Sequence, residues 1–235
     1  MKHWARGLVM GVGVLTALLS GPVLARPDPQ IITDLALATP DPYADWQTLA
    51  TPHFNIHFEQ KHQRFAQRLA AIAERVHVNL TPRAAYTPDG KTEIVINDSV
   101  DMSNGAATAM PYRQFFIFMT PPASGELLDD ADWVEMVFTH EYMHVLHLDQ
   151  AEGFPRGLRK VLGSWFFTFP QIFNPTWITE GYAVWAETDA RKGVGRGQSA
   201  LYDAMMRAEV MNGLKDLSSL SFYGYDSNDW PYGQP

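Results

Sequence analysis

The segment 139–147, THEYMHVLH, contains three histidines and one glutamate within nine residues. On a helix, His140 and His144 lie one turn apart, roughly 6 Å along the axis, and share a face. Two imidazoles in this arrangement can bind one metal ion. Glu141 follows the first histidine directly and projects beside that line, where a carboxylate can act on a metal-bound water. The spacing therefore predicts a hydrolytic metal site.

A third ligand is expected from another part of the chain. His147 lies about 10.5 Å beyond His140 on a straight helix, which is too far for one tetrahedral ion. No histidine follows it and the chain contains 0 cysteines, so a carboxylate is expected. The segment 177–187, WITEGYAVWAE, offers Glu180 one turn into another predicted helix. We expect His147 to support the site or to pack.

The motif HEYMH at 140–144, followed by WITEGYA at 177–183, resembles the gluzincin zinc metallopeptidases. It is similar to aminopeptidase N-like enzymes and more closely to the bacterial peptidase MA-like group. The resemblance covers roughly residues 50 to 235 and is specific at the two motifs. It implies a zincin-like fold, a polypeptide substrate and one Zn²⁺ per chain. The implied metal ligands are His140, His144 and Glu180, and the implied general base is Glu141.

Other positions depart from this pattern or complete it. The resemblance implies that Tyr232, in WPYGQP, donates a hydrogen bond to the oxyanion; Tyr223 and Tyr225 are rivals, and all three could instead be packing residues. Aminopeptidase N-like enzymes grip the free amine of the substrate with a glutamate before the metal helix. The segment 104–119 contains no glutamate, which favours an endopeptidase. The strand expected at 114–119 could bind a peptide at a sheet edge or lie in the sheet interior.

The sequence signals for residues that support the metal ligands are less specific than the motifs themselves. Metal-bound histidines usually donate their second N–H to an oxygen, and Glu187, Asp149 and Asp189 are candidate partners. The segment 156–177 combines basic side chains with aromatic ones. It is predicted to be a packed loop over the cleft, with a membrane-interface contact as the alternative.

The elements that must position these residues form an α+β arrangement. Alternating or continuous apolar runs predict strands at 53–58, 92–97 and 114–119. Helical periodicity predicts helices at 62–80, 132–150, 176–190 and 198–211, with Asp132 as an N-cap and Thr81-Pro82 ending the first. A mixed N-terminal sheet should therefore pack on the metal-binding helix, followed by a mainly helical part.

The ends of the chain predict export and a longer parent protein. Residues 1–25 have a basic start, an apolar run and the small-residue site VLA, which is typical of a signal peptide; a membrane anchor is the alternative. An extended lead-in at 26–50 and a peptidase domain at 51–235, truncated at its C-terminus, are expected to follow. The resemblance also implies that a C-terminal β-propeller can be present in the parent protein.

Composition limits the partners. The formal net charge of −8 argues against nucleic acid as a partner. A periplasmic or extracellular protein without stable membrane insertion is expected after the signal is removed. Two other functions remain open: an inactive zincin-fold binding or scaffold module of the cell envelope, and an envelope protein with a purely structural metal. Glu141 argues against the scaffold, and a closed structural site needs a fourth protein ligand.

Overall fold

A five-stranded mixed sheet forms one layer of the protein in the computed structural model, which describes residues 40–99, 104–121, 132–189 and 191–214. Its strands are β1 (Trp46–Ala50), β2 (Phe54–Glu59), β3 (Thr92–Asn97), β4 (Gly105–Thr108) and β5 (Gln114–Phe118). Their spatial order is β1-β2-β3-β5-β4. The β2–β3 and β3–β5 pairs are parallel, whereas β1 and β4 are antiparallel to their neighbours.

The helices pack against this sheet and continue beyond it. They are α1 (Gln63–Ala84), α2 (Trp133–Asp149), α3 (Gly153–Leu162), α4 (Thr176–Glu187) and α5 (Ala200–Asn212). Short 3₁₀ turns include Phe166–Thr168, Pro170–Phe173 and Arg196–Gln198. The observed class is a mixed sheet with helices, as expected for α+β.

The core lies between the sheet and the first two helices. Its largest fully buried side chains include Phe54 from β2, Phe115 from β5, and Phe138 and Tyr142 from α2. The rings of Phe54 and Phe115 meet those of Phe138 and Tyr142 at centroid separations of 5.1–6.4 Å. This apolar contact holds one side of α2 on the sheet and leaves its other side to α4.

The prediction that Thr81-Pro82 ends α1 is wrong. The helix continues through Pro82 to Ala84, and Ala85 caps it with a positive φ of 49°. Burial of Leu80 and Ala84 in the core offsets the backbone hydrogen bond that Pro82 cannot donate. The extra turn carries Arg83, whose guanidinium binds the carbonyl oxygens of Trp185 and Ala186 at the end of α4.

Three further differences from the sequence predictions concern edges and connections. Residues 46–50, expected to end the lead-in, form β1 and pair with β2. The short strand β4 and the helix α3 were not expected. Of the two roles considered for the strand at 114–118, the interior one is observed, because β5 lies between β3 and β4. The edge alternative for that strand is therefore wrong, and the edge strands among those described are β1 and β4.

Among the described residues, every helix is too short or too polar to cross a membrane.

Candidate metal centre

The helix α2 brings its two predicted ligands together. It begins after Asp132, whose side chain accepts a hydrogen bond from the backbone N–H of Glu135 at 3.3 Å, as the predicted N-cap requires. One turn apart, His140 and His144 point their Nε2 atoms at the same place, 3.0 Å from each other. Both side chains are almost fully buried. The one-turn spacing thus produces the convergence predicted from sequence.

The third predicted ligand comes from α4, which packs along α2. Glu180 Oε2 lies 3.4 Å from His140 Nε2 and 3.4 Å from His144 Nε2. A tetrahedral ion with bonds of about 2.0–2.1 Å would separate two of its ligand atoms by roughly 3.3 Å. The three side-chain atoms thus already have the spacing of three vertices around one small ion. This group of residues could hold a metal ion.

A second carboxylate orients His140. Glu187, at the end of α4, lies 2.8 Å from His140 Nδ1. With Nδ1 protonated and donating to this carboxylate, Nε2 is left free to bind a metal. Glu187 is therefore the supporting carboxylate among the three candidates. Asp149 instead binds Tyr86, Arg113 and Arg159, and Asp189 lies in a tight turn that closes against Val194.

Arg196 holds Glu187 in turn. Its Nε and Nη2 lie 2.7 and 3.0 Å from the two carboxylate oxygens, and Nη2 also lies 2.7 Å from His140 Nδ1. The preceding Gly195 has a φ of +89°, and a Cβ there would stand 2.6 Å from Thr188 Cα. A glycine is therefore needed for the Arg196 turn to pack against the end of α4.

Glu141 lies beneath the edge strand. Its side chain is buried, and a Cβ added to Gly105 of β4 would approach Glu141 Oε1 to 2.8 Å. The strand can thus cross the carboxylate only because residue 105 is glycine. Burial raises the pKa of Glu141, which makes the group a stronger proton acceptor than an exposed glutamate.

The charges around the centre favour a cation. Burial alone would lower the pKa of His140, but hydrogen bonds to Glu180 and Glu187 raise it to about 9. Burial opposes ionisation of Glu180, yet its bonds to His140 and His144 hold its pKa well below the usual range. A metal ion binds histidine only in its neutral form. With both histidines neutral, the ionised forms of Glu141, Glu180 and Glu187 carry −3 and Arg196 carries +1, so −2 remains for a divalent ion to balance.

His147 lies off the metal group, as its position on the helix predicts. Its Nε2 is 3.1 Å from Asn174 Nδ2, and its ring meets Tyr182 edge to face at 5.3 Å. Burial lowers the pKa of His147. The residue therefore ties the 170–174 turn and α4 to α2, which is a packing role.

One predicted residue cannot be placed in the structure, and two residues at the site were not predicted from the sequence. Tyr232, with its rivals Tyr223 and Tyr225, lies outside the described residues. Gly105 and Arg196 were not predicted. For Gly105 the signal was a lone glycine beginning a short apolar run, and for Arg196 it was a basic residue between two glycines. Neither signal is specific, because both occur in ordinary turns.

Comparison of the chain with family models, curated proteins and solved structures found no match.

Proposed function

We propose that the protein is a zinc-dependent metallopeptidase of the gluzincin type with a zincin-like fold, similar to the peptidase MA-like group. The observation that carries this proposal is the group of His140 Nε2, His144 Nε2 and Glu180 Oε2, with Glu141 buried next to it. Two imidazoles and one carboxylate form the donor set of catalytic zinc sites that keep a position for water. A structural site would require a fourth protein ligand, and His147 lies elsewhere.

Each residue then has a distinct role. His140, His144 and Glu180 would hold the ion, which when bound lowers the pKa of a coordinated water and polarises a carbonyl group. Glu141 accepts the proton of the attacking water and passes it to the leaving amine. Glu187 accepts the Nδ1–H of His140 and so favours the tautomer that ligation requires, and Arg196 holds the Glu187 carboxylate in place.

The position of the edge strand β4 is consistent with a polypeptide substrate. Among the described strands it pairs only with β5, and an extended peptide could pair with its other side. Because it crosses directly over Glu141 at Gly105, a peptide added there would pass the general base. The strand carries no acidic side chain to bind a free amine, and we therefore favour an endopeptidase.

An inactive zincin-fold module of the cell envelope is the competing function. It would keep the ion and the fold without turnover. The buried Glu141 disfavours this alternative, because a binding module has no need of a buried carboxylate beside its metal. A secreted location, periplasmic or extracellular, belongs to the same proposal and rests on residues 1–25, which lie outside the described residues.

Zinc content and casein hydrolysis test the proposal together. The purified protein should bind about one zinc per chain, and Glu141→Gln should keep that zinc but lose nearly all hydrolysis, since an amide cannot accept the proton of water. His144→Ala should lose zinc, whereas His147→Ala should retain it. A Glu141→Gln variant that cleaves casein at the unmodified rate would refute the peptidase, and zinc binding without any hydrolysis would favour the scaffold.

A further inference from the structure

The segment 153–177 exposes an unusual amount of apolar surface. Its exposed large side chains, most of them more than half accessible, are Phe154, Val161, Leu162, Trp165, Phe167, Phe173 and Trp177. No α3 residue is buried. The loop expected to pack over the cleft therefore packs only in part: Phe169 and Thr168 are buried, while its outer side chains face solvent.

The helix α3 is amphipathic, although none of its residues is buried in the core. Phe154, Leu158 and Val161 follow one another at i, i+4 and i+7 and form an apolar stripe. Arg156 and Lys160 share the opposite side, and no described carboxylate pairs with either. Phe154 is 80% and Val161 81% exposed, whereas Leu158 is half-buried, so both ends of the apolar stripe are exposed in the part of the chain that the structure describes.

An aromatic cluster continues this surface beyond α3. Trp165 meets Phe167 at a centroid separation of 5.0 Å, Phe167 meets Phe166 at 5.4 Å, and Phe166 meets Phe173 at 5.3 Å. Arg159 fixes the cluster to α3, since its guanidinium binds the carbonyl oxygen of Thr168 and the Asp149 side chain. We call α3 and this cluster the 153–177 surface.

The charge of the 153–177 surface differs from that of the rest of the chain. From residue 153 to residue 179 there are three basic residues and no acidic ones, whereas the whole chain has 18 basic and 26 acidic residues. Basic side chains on the polar face, with phenylalanine and tryptophan on the other, match the headgroup and acyl regions of an anionic bilayer.

We propose that the 153–177 surface docks on an anionic lipid bilayer. The helix α3 lies in the plane of the interface with Phe154 and Val161 among the acyl chains, and Arg156 and Lys160 contact the headgroups. Because α3 directly follows α2 and is tied to Asp149 at its end, docking places the metal centre close to the membrane surface. The proposal does not depend on peptidase activity.

A site-specific label tests the docking. The chain has no cysteine, so Val161→Cys provides one attachment point for an environment-sensitive NBD fluorophore, and Val210→Cys on α5, 59% exposed, is the matched control. Both are made in the full chain, so residues 1–25 are common to them. Phosphatidylglycerol-containing vesicles should shift emission at 161 to the blue and leave 210 unchanged. No shift at 161, or equal shifts at both sites, would overturn the proposal.

Charge variants test the polar face. Arg156→Gln with Lys160→Gln should weaken the apparent lipid affinity, measured from the emission at 161 as vesicles are added, by about 25-fold, at roughly fivefold per basic residue. Arg191→Gln with Lys192→Gln, also exposed, should leave it unchanged. Equal effects of the two pairs would refute the assignment. If the emission at 161 is already blue without lipid, the 153–177 surface is covered either by another part of this chain or by a second copy. Light scattering distinguishes the monomer from the dimer, and either result overturns lipid docking.

Discussion

The buried side chain of Glu187 sets the orientation of His140, a candidate metal ligand. Its carboxylate is 1% exposed and is shared between His140 and Arg196. The arginine neutralises part of its charge, and the histidine receives a fixed hydrogen-bond acceptor. A carboxylate at this depth would be costly without both partners.

Glu187→Gln should weaken zinc binding by about 10–100-fold, because the amide is a poorer acceptor for the His140 N–H. Competition with a chelator measures the affinity directly and does not require turnover. Glu152→Gln, an exposed change at the start of α3, is the matched control. Unchanged affinity in Glu187→Gln would mean that the carboxylate contributes only to packing.

Substitution of Tyr232 tests its proposed role as the hydrogen-bond donor to the oxyanion. Tyr232→Phe should lower kcat by roughly 10²–10³-fold and leave KM nearly unchanged, since the hydrogen bond forms mainly in the transition state. Tyr223→Phe and Tyr225→Phe are the controls, measured in the longest form of the protein. A loss confined to one control would move the role to that tyrosine.

At the scale of elements, the site depends on contacts between α2 and two neighbours. The helix α4 supplies Glu180 and Glu187 from one side, and the strand β4 covers Glu141 from the other. Arg83 of α1 fixes the end of α4 through two backbone carbonyls and stacks on Trp185. Three separate elements, α4, β4 and α1, thus position the candidate site around α2.

Gly105→Ala should lower hydrolysis by about 10²-fold or more while zinc content stays the same. The added methyl group would displace Glu141 or lift β4, and a displacement of about 1 Å at a reacting group can cost 10²-fold. The three atoms nearest to that methyl position all belong to Glu141, and none belongs to a candidate metal ligand. Gly157→Ala, where a Cβ meets nothing within 4 Å, is the control and should remain fully active. Equal activity of both variants would remove β4 from the site.

At the scale of the whole molecule, the acidic chain presents a basic, aromatic surface and a candidate metal centre. The two features are independent in their residues but adjacent along the chain, since α3 begins four residues after α2 ends. A peptidase of this kind would act on chains at or near a membrane surface.

The protein is predicted to be exported with removal of residues 1–25. The secreted form should begin at Arg26, because residues 23–25, VLA, complete a signal cleavage site. N-terminal sequencing of protein recovered from the periplasm or medium gives the result. Recovery of residues 1–25 in the membrane fraction would support an anchor instead.

Local patterns in the sequence were sufficient for the ligand helix and for most of the regular elements. The one-turn spacing of His140 and His144 has a single geometric outcome once a helix forms, so their convergence could be predicted from residues alone. The same holds for the Asp132 cap and for the placement of His147 away from the metal group. Boundaries were less certain, as Pro82 shows, because burial of the following residues can outweigh a lost hydrogen bond.

Only the tertiary structure decided which distant groups meet. No local pattern distinguishes Glu187 from Asp149 or Asp189 as the partner of His140, since all three are acids within reach of a helix end. Arg196 and Gly105 reach the site through a turn and an edge strand that weak periodicity did not predict. Their positions follow from packing between elements far apart in the chain, whereas the convergence of the candidate ligands on α2 follows from the pitch of one helix.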